Sequence, residues 1–204
     1  MLRVLLLGTT LLVAALGFEQ RRSGGPPLID LAREMNLPAF WSGLLLLTAG
    51  ASALAAARAD GRGARWPWWP LALLLFFMAG DEALRIHEWL ERQSGIDWHL
   101  LYLPVMAVGA AAALGAVLRL REHPALAAGI VASGAAWAFA QVLESLQWDG
   151  SRQVGGYGPM MVSEEILEMA GSLGFTLTLL AVAERFRSRT VLRRLELAAA
   201  GAAA

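Results

Sequence analysis

The chain has 204 residues, of which 57% are hydrophobic and 17% charged, and it contains no cysteine. Soluble domains are typically ~45–50% apolar and ~25% charged, so this composition excludes a disordered chain, a disulfide scaffold and an ordinary cytosolic enzyme. The equal numbers of basic and acidic residues, 17 of each, argue against a nucleic-acid-binding protein.

Six segments are long and apolar enough to cross a bilayer, for which a helix needs about 20 residues. They comprise residues 2–18, 38–57, 67–92, 99–118, 124–147 and 161–185. Arg3 and the short apolar core of the first segment also fit a signal peptide, but we expect the helix to be retained. Cleavage would leave five spans. The sequence thus predicts an all-α, six-helix transmembrane bundle that forms a single domain over residues 1–204.

A short amphipathic helix is predicted between the first two spans, over residues 28–36. Glycines and prolines at 24–27 break the chain before it. Apolar residues then alternate with Asp30, Arg33 and Glu34 at helical spacing, which is typical of a helix on the membrane surface. We expect this helix to pack over the bundle, with a lid over a functional site as the alternative.

Arginines set the predicted orientation, because basic residues of short loops are retained in the cytoplasm. With the N-terminus inside, 11 of the 17 arginines lie on the inner side. Both termini are therefore predicted to be cytoplasmic, in a bacterial inner membrane. The acids show the opposite bias, since 13 of 17 lie outside or in the outer half of the membrane. Orientation rules do not explain this second bias.

Three predicted spans bring acidic residues to a similar depth. Asp81 and Glu82 lie about 21 Å beyond Pro67, and Glu168 lies about 24 Å from the inner boundary at Glu184. Ionised groups at membrane depth are costly and normally face the interior of a bundle or a water-filled cavity. The candidate site residues on these helices are Asp81, Glu82, His87, Glu88, Glu144, Glu164, Glu165 and Glu168.

Three kinds of interaction would hold these acids together. A divalent metal ion would take carboxylate oxygens, with His87 as a possible imidazole ligand. Alternatively, the acids would share protons in a relay or a neutral hydrogen-bonded network. The third possibility is ion pairing, because Asp81–Arg85 and Glu88–Arg92 both have the i,i+4 spacing of a helix pair.

Several known site chemistries are excluded or unsupported. The chain has no His-Glu-x-x-His zinc helix, no Glu-x-x-His pair and no Gly-x-Ser-x-Gly elbow. The absence of cysteine excludes a cysteine nucleophile and cysteine-ligated iron–sulfur clusters. His99 is expected to be an interface residue, and the glycine-rich segment 151–159 is expected to be a flexible connection.

Two acidic motifs carry a resemblance. Asp81-Glu82 followed by His87-Glu88, and Glu164-Glu165 followed by Glu168 and Gly171, resemble a pattern in uncharacterised bacterial multi-pass membrane proteins. The resemblance covers these two helices, and the rest of the chain only by hydropathy. It implies that the two acidic helix ends belong together, and it implies no activity.

The sequence favours a small multi-pass inner-membrane protein with a carboxylate and histidine site in the outer leaflet that binds metal or relays protons. The alternative is an accessory or scaffold subunit whose acids form structural pairs with arginines. A membrane-embedded metal-dependent hydrolase is a third hypothesis. The expected partners are the lipid bilayer and either further copies of the chain or a larger membrane complex, with no nucleic acid.

Overall fold

The computed structural model describes residues 1–31, 35–60, 65–149 and 152–202, and these ranges are almost entirely helical. Within these ranges a 3-10 turn covers Pro27–Ile29, and a two-residue antiparallel pair joins β1 (Trp148–Asp149) to β2 (Arg152–Gln153). The α-helices of the described ranges are α1 (Leu2–Ser23), α2 (Leu37–Ala59), α3 (Trp68–Leu84), α4 (Ile86–Ser94), α5 (Trp98–Arg119), α6 (Pro124–Leu146) and α7 (Tyr157–Ala202).

Five of the described helices are long and apolar enough to cross a membrane, namely α1, α2, α5, α6 and the Tyr157–Leu192 part of α7. The chain is therefore a multi-pass membrane protein. The third predicted span, over residues 67–92, corresponds to α3 and α4, and α3 has only 17 residues and is about 26 Å long. That length is at the lower limit for a transmembrane helix.

The prediction of one continuous helix over residues 67–92 is wrong, because the helix is interrupted at Arg85. This residue adopts the left-handed conformation, with φ 55° and ψ 47°, and thereby ends α3 and starts α4 in a new direction. Such a conformation is uncommon for a residue other than glycine. Asp81 and Glu88 are seven residues apart and would share one face of a continuous helix, but the break places them on two different helices.

Other helix boundaries also differ from the predicted ones. The first helix extends to Ser23 rather than residue 18, and the last extends over Tyr157–Ala202 rather than 161–185. The predicted interfacial helix over 28–36 falls partly on residues 32–34, which lie outside the described residues. Before them, Leu31 is fully buried and packs with Val13 and Met169.

The centre of the bundle is built on two parallel helices, α2 and α7. The Thr176 hydroxyl donates to the Leu45 carbonyl at 2.6 Å, and the Thr190 hydroxyl donates to the Ala59 carbonyl at 3.0 Å. Between these two hydrogen bonds each helix advances by the same number of residues, so the two helices keep one register along their shared length. Helices α3 and α6 pack on either side of this pair.

The two ends of the bundle differ in charge. At the end where α2 stops and α3 starts, which we call the basic end, the Asp60 carboxylate accepts two hydrogen bonds from Arg119, at 2.7 and 2.8 Å. Trp68 donates a third bond to the same carboxylate, at 3.1 Å. The opposite end, where α3 and α6 stop and α5 and α7 start, carries most of the candidate site residues, and we call it the acidic end.

Candidate functional site

A cavity of about 700 Å³ lies between α3, α5, α6 and α7. Its walls are mostly apolar and extend along the bundle, since Leu71 and Asp81 both line it and are about 15 Å apart along α3. Three large lining residues of α5 and α6, Met106, Leu114 and Val131, keep at least 36% of their surface exposed. The cavity is therefore open sideways, between α5 and α6, toward the region that lipid occupies.

Polar side chains line the cavity at the acidic end of the bundle. Seven of the eight candidate residues from the sequence contribute to this lining: Asp81, Glu82, His87, Glu144, Glu164, Glu165 and Glu168. They come from α3, α4, α6 and α7, so the structure brings together acids that are up to 87 positions apart in the chain. Glu88 is the exception and does not line the cavity.

Asp81 holds His87 in place at the acidic end of the cavity. Its Oδ2 atom lies 3.0 Å from Nδ1 of His87, while Oδ1 accepts the His87 backbone N–H at 2.8 Å and the Tyr102 hydroxyl at 3.0 Å. The carboxylate thus orients the imidazole and also caps the first turn of α4. An aspartate-oriented imidazole is a group that can accept or deliver a proton.

Arginines at the acidic end contact Glu88. Arg92 donates to Glu88 at 2.8 Å, which confirms the predicted i,i+4 pair. The predicted Asp81–Arg85 pair is wrong, because Arg85 lies at the helix break and donates to Glu88. The Asp81 oxygens are instead occupied by His87 and Tyr102.

A glutamine and a glutamate form a second contact across the cavity, between α6 and α7. Gln141 Nε2 donates to Glu168 Oε1 at 3.1 Å, and both residues line the cavity. The Oε1 atom of Gln141 is buried and has no hydrogen-bond partner within the described ranges. Nearby, Gln147 donates to Glu164.

Trp98 is a site residue that sequence reasoning missed. Its indole ring stacks on His99, with ring centroids 3.9 Å apart, and packs against His87 at 5.0 Å. His99 was expected only at the interface, yet its Nε2 lies 4.0 Å from Glu144 Oε2. Tyr102 was missed as well, although it follows Trp98 at i+4, a spacing that places two aromatic rings on one helix face.

Asp97 precedes α5 and supports this aromatic cluster from outside the span. It accepts the His99 backbone N–H at 2.8 Å and approaches His99 Nδ1 at 2.9 Å. The hydrogen bond from the His99 backbone lowers the pKa of the Asp97 carboxyl, and the contact with the His99 ring lowers it further. The carboxylate therefore fixes the first turn of α5 at neutral pH.

The metal hypothesis requires at least three ligands around one point. Among the described residues, no group of three or more histidine, aspartate or glutamate side chains could hold a metal ion. The hydrogen-bonded pairs described above instead show these acids as acceptors for side-chain and backbone donors. The arrangement is suited to binding a molecule that carries hydrogen-bond donors and to exchanging protons through His87.

Comparison with known proteins places the chain in a family. No curated protein and no solved structure was found to match it. One family model, described as a domain of unknown function (DUF8692), matches residues 4–183. This match covers all the residues that line the cavity, and the chain belongs to the DUF8692 family.

Proposed function

We propose that this multi-pass membrane protein binds an amphipathic molecule in the cavity between α3, α5, α6 and α7. The molecule's tail lies along the apolar walls, and its polar head contacts the carboxylates and His87 in the outer leaflet. One observation carries the proposal: a single cavity has apolar walls over most of its length and acidic side chains at one end.

The size and opening of the cavity support an amphipathic occupant. Its volume of about 700 Å³ is within the ~300–1,000 Å³ of pockets that hold small molecules. The sideways opening at Leu114 and Val131 allows a molecule dissolved in the bilayer to enter without crossing water. A fully water-soluble ligand would gain little from walls formed by residues such as Leu74, Phe77 and Val105.

The polar end supports a head group that donates hydrogen bonds. Carboxylates at membrane depth are costly unless they face a polar partner or a cavity. Asp81 and Glu168 supply oriented acceptors there, and His87 supplies an imidazole for proton exchange. The distribution of arginines further leads us to propose an inner-membrane location, with the basic end in the cytoplasm and the acidic end in the outer leaflet.

Saturable quenching of tryptophan fluorescence tests this function. Trp137 lines the cavity, so a long-chain alcohol brominated on its tail should quench the part of the emission that disappears in Trp137→Phe. Gly134→Leu should abolish this quenching, because the new side chain projects into the cavity from a position whose Cβ would meet only Phe175, at 3.9 Å.

A matched variant controls for the added side chain. A Cβ at Gly8, in α1, has no neighbour within 4 Å, so Gly8→Leu adds the same side chain to a helix outside the cavity. We expect Gly8→Leu to bind the brominated alcohol like the wild type. Equal quenching in the wild type and Gly134→Leu would contradict the proposed function.

A further inference from the structure

An arginine and a histidine are hydrogen-bonded at the basic end of the bundle, where the turn between α5 and α6 meets α7. Arg185 Nε donates to His123 Nε2 at 2.9 Å. An imidazole nitrogen accepts a hydrogen bond only in its unprotonated form, so His123 supplies an acceptor without a negative charge. The bond orients the guanidinium and leaves the N–H groups of its terminal nitrogens as donors.

The arginines on this side of α7 are not neutralised by acidic residues. Asp60 and Glu184, at the same end, are each paired with a different arginine. Among the described residues, no carboxylate forms an ion pair with Arg185 or with Arg189, which follows it by one helical turn. Both side chains are exposed. The pair therefore presents unneutralised positive charge to its surroundings.

The electrostatics of His123 report the same excess of positive charge. Partial burial and the charges of Arg185 and Arg189 lower the pKa of His123, and Glu122 offsets only part of this effect. These groups, from α7 and from the turn itself, are the charges that act on the imidazole. An anion held by the two arginines would reduce the repulsion.

We propose that Arg185 and Arg189 bind the phosphate of an anionic phospholipid in the leaflet at the basic end. Guanidinium groups bind phosphate oxygens through paired, charge-assisted hydrogen bonds. His123 is a positioning residue, because it orients the guanidinium of Arg185. This site lies at the opposite end of the bundle from the acidic residues of the cavity, and it does not depend on the molecule proposed to bind there.

The level of the site along the bundle favours a lipid over a soluble anion. The apolar run of α7 ends at Ala183, and His123 lies in the short turn between the last residue of α5, Arg119, and the first residue of α6, Pro124. Lipid head groups lie directly beyond the hydrocarbon core. Basic clusters immediately beyond membrane-spanning helices are typical of sites for anionic lipids.

Native mass spectrometry of the detergent-solubilised full chain tests the site, with short-chain phosphatidylglycerol as the probe. We expect Arg185→Gln and Arg189→Gln each to weaken binding about tenfold, because each removes charge-assisted hydrogen bonds. Arg187→Gln is the matched control. It removes the same charge from an exposed position on α7 that is rotated by about 200° from Arg185, and it should change the affinity by about twofold or less. Equal weakening by Arg187→Gln and Arg185→Gln would overturn the site in favour of diffuse attraction.

Two further probes identify the source of the phosphate. Phosphatidylcholine of the same chain length has a phosphate without net charge, and glycerol phosphate has the charge without acyl chains. We expect phosphatidylglycerol to bind the wild type about tenfold more tightly than either probe. Equal affinity for glycerol phosphate would overturn the assignment to a lipid, and equal affinity for phosphatidylcholine would overturn the need for an anionic head group. These comparisons use the wild type and decide the inference even if a variant does not fold.

His123 provides a readout within the site. Phosphatidylglycerol should raise the pKa of His123, measured by NMR, because the phosphate offsets the charges of Arg185 and Arg189. The ring signals of His99, at the acidic end, should not change. His123→Gln keeps an acceptor and should bind the lipid like the wild type, whereas His123→Leu should bind it about threefold more weakly. An unchanged pKa of His123 at saturating phosphatidylglycerol would overturn the site, and wild-type affinity in His123→Leu would overturn the positioning role.

Discussion

Asp81 is the residue whose replacement tests the geometry of the site most sharply. Its carboxylate accepts three hydrogen bonds, of which two come from the backbone and ring of His87 and one comes from Tyr102. Asp81→Ala removes the cap of α4 together with the restraint on His87. Loss of a helix cap costs about 1 kcal/mol, and loss of a second hydrogen bond costs about 1 kcal/mol more.

Hydrogen exchange measures this local effect. A loss of about 2 kcal/mol should speed exchange of the α4 amides, over Ile86–Ser94, on the order of 30-fold. Exchange in α2 and α7 should stay unchanged, because neither helix contacts the Asp81 carboxylate in the interactions described. Asp81→Asn should have a smaller effect, since its amide oxygen, in the place of Oδ1, still accepts the bonds from the His87 backbone and from Tyr102.

Glu91→Ala provides the control, because Glu91 is an exposed carboxylate on α4 itself. We expect its α4 amides to exchange at the wild-type rate. If Asp81→Ala also leaves exchange in α4 at the wild-type rate, Asp81 does not hold α4 and His87 in place, and the reasoning about the site is refuted.

Three further predictions concern the stability of the bundle, measured by unfolding of the detergent-solubilised protein. Asp60→Ala should lower the free energy of unfolding by about 3 kcal/mol, because it leaves the Arg119 guanidinium, which is 19% exposed, without its partner. Glu184→Ala removes an exposed pair with Arg3 and should cost no more than about 1 kcal/mol. Equal losses would contradict the role of burial. Asp97→Asn should lower the free energy of unfolding at neutral pH. The difference from the wild type should vanish as pH falls through the depressed pKa of Asp97, since a carboxyl whose pKa is lowered in the folded state stabilises the protein only while it is ionised. A loss that persists in acid would refute this. Gly171→Ala should lower the free energy of unfolding by about 1–3 kcal/mol, because the new Cβ would lie 2.5 Å from the Trp137 ring and 3.0 Å from the Ser133 carbonyl. An unchanged stability would show that α6 and α7 can move apart.

The membrane character of the chain was predictable because it depends on composition over long windows. Segments such as Leu37–Ala59 and Pro124–Leu146 are predominantly apolar, and their length and composition identify them as spans. That Asp81 and Glu168 lie at the same end of the bundle was also predictable, since helical rise converts residue number into distance along each helix. These features need no knowledge of which helices are neighbours.

The break at Arg85 was not predictable from local signals. Helix ends are usually marked by glycine or proline, and here an arginine takes the left-handed conformation. The interactions that accompany it, between Asp81 and the backbone and ring of His87, depend on the new direction of α4 and exist only after the break has formed. A continuous helix with an Asp81–Arg85 pair was therefore the natural prediction, and it is wrong.

The partners of the acids were missed because they are set by the packing of helices distant in the chain. Tyr102 contacts Asp81 across the boundary between α3 and α5, and Gln141 contacts Glu168 between α6 and α7. Neither pair has a sequence spacing that signals contact. A polar residue within a span, such as Gln141, is nevertheless a signal of a buried partner, and it could have been added to the candidate list.

The central claim is that an amphipathic molecule occupies the cavity with its tail along the apolar walls. Photo-crosslinking with a long-chain alcohol that carries a diazirine on its tail, followed by peptide mapping, tests this claim most directly. The account predicts saturable labelling on the cavity walls near Leu114 and Val131, competed by dodecanol and lost in Gly134→Leu. Labelling spread equally over the outward face of α1, for example at Leu11, and unaffected by Gly134→Leu would contradict it.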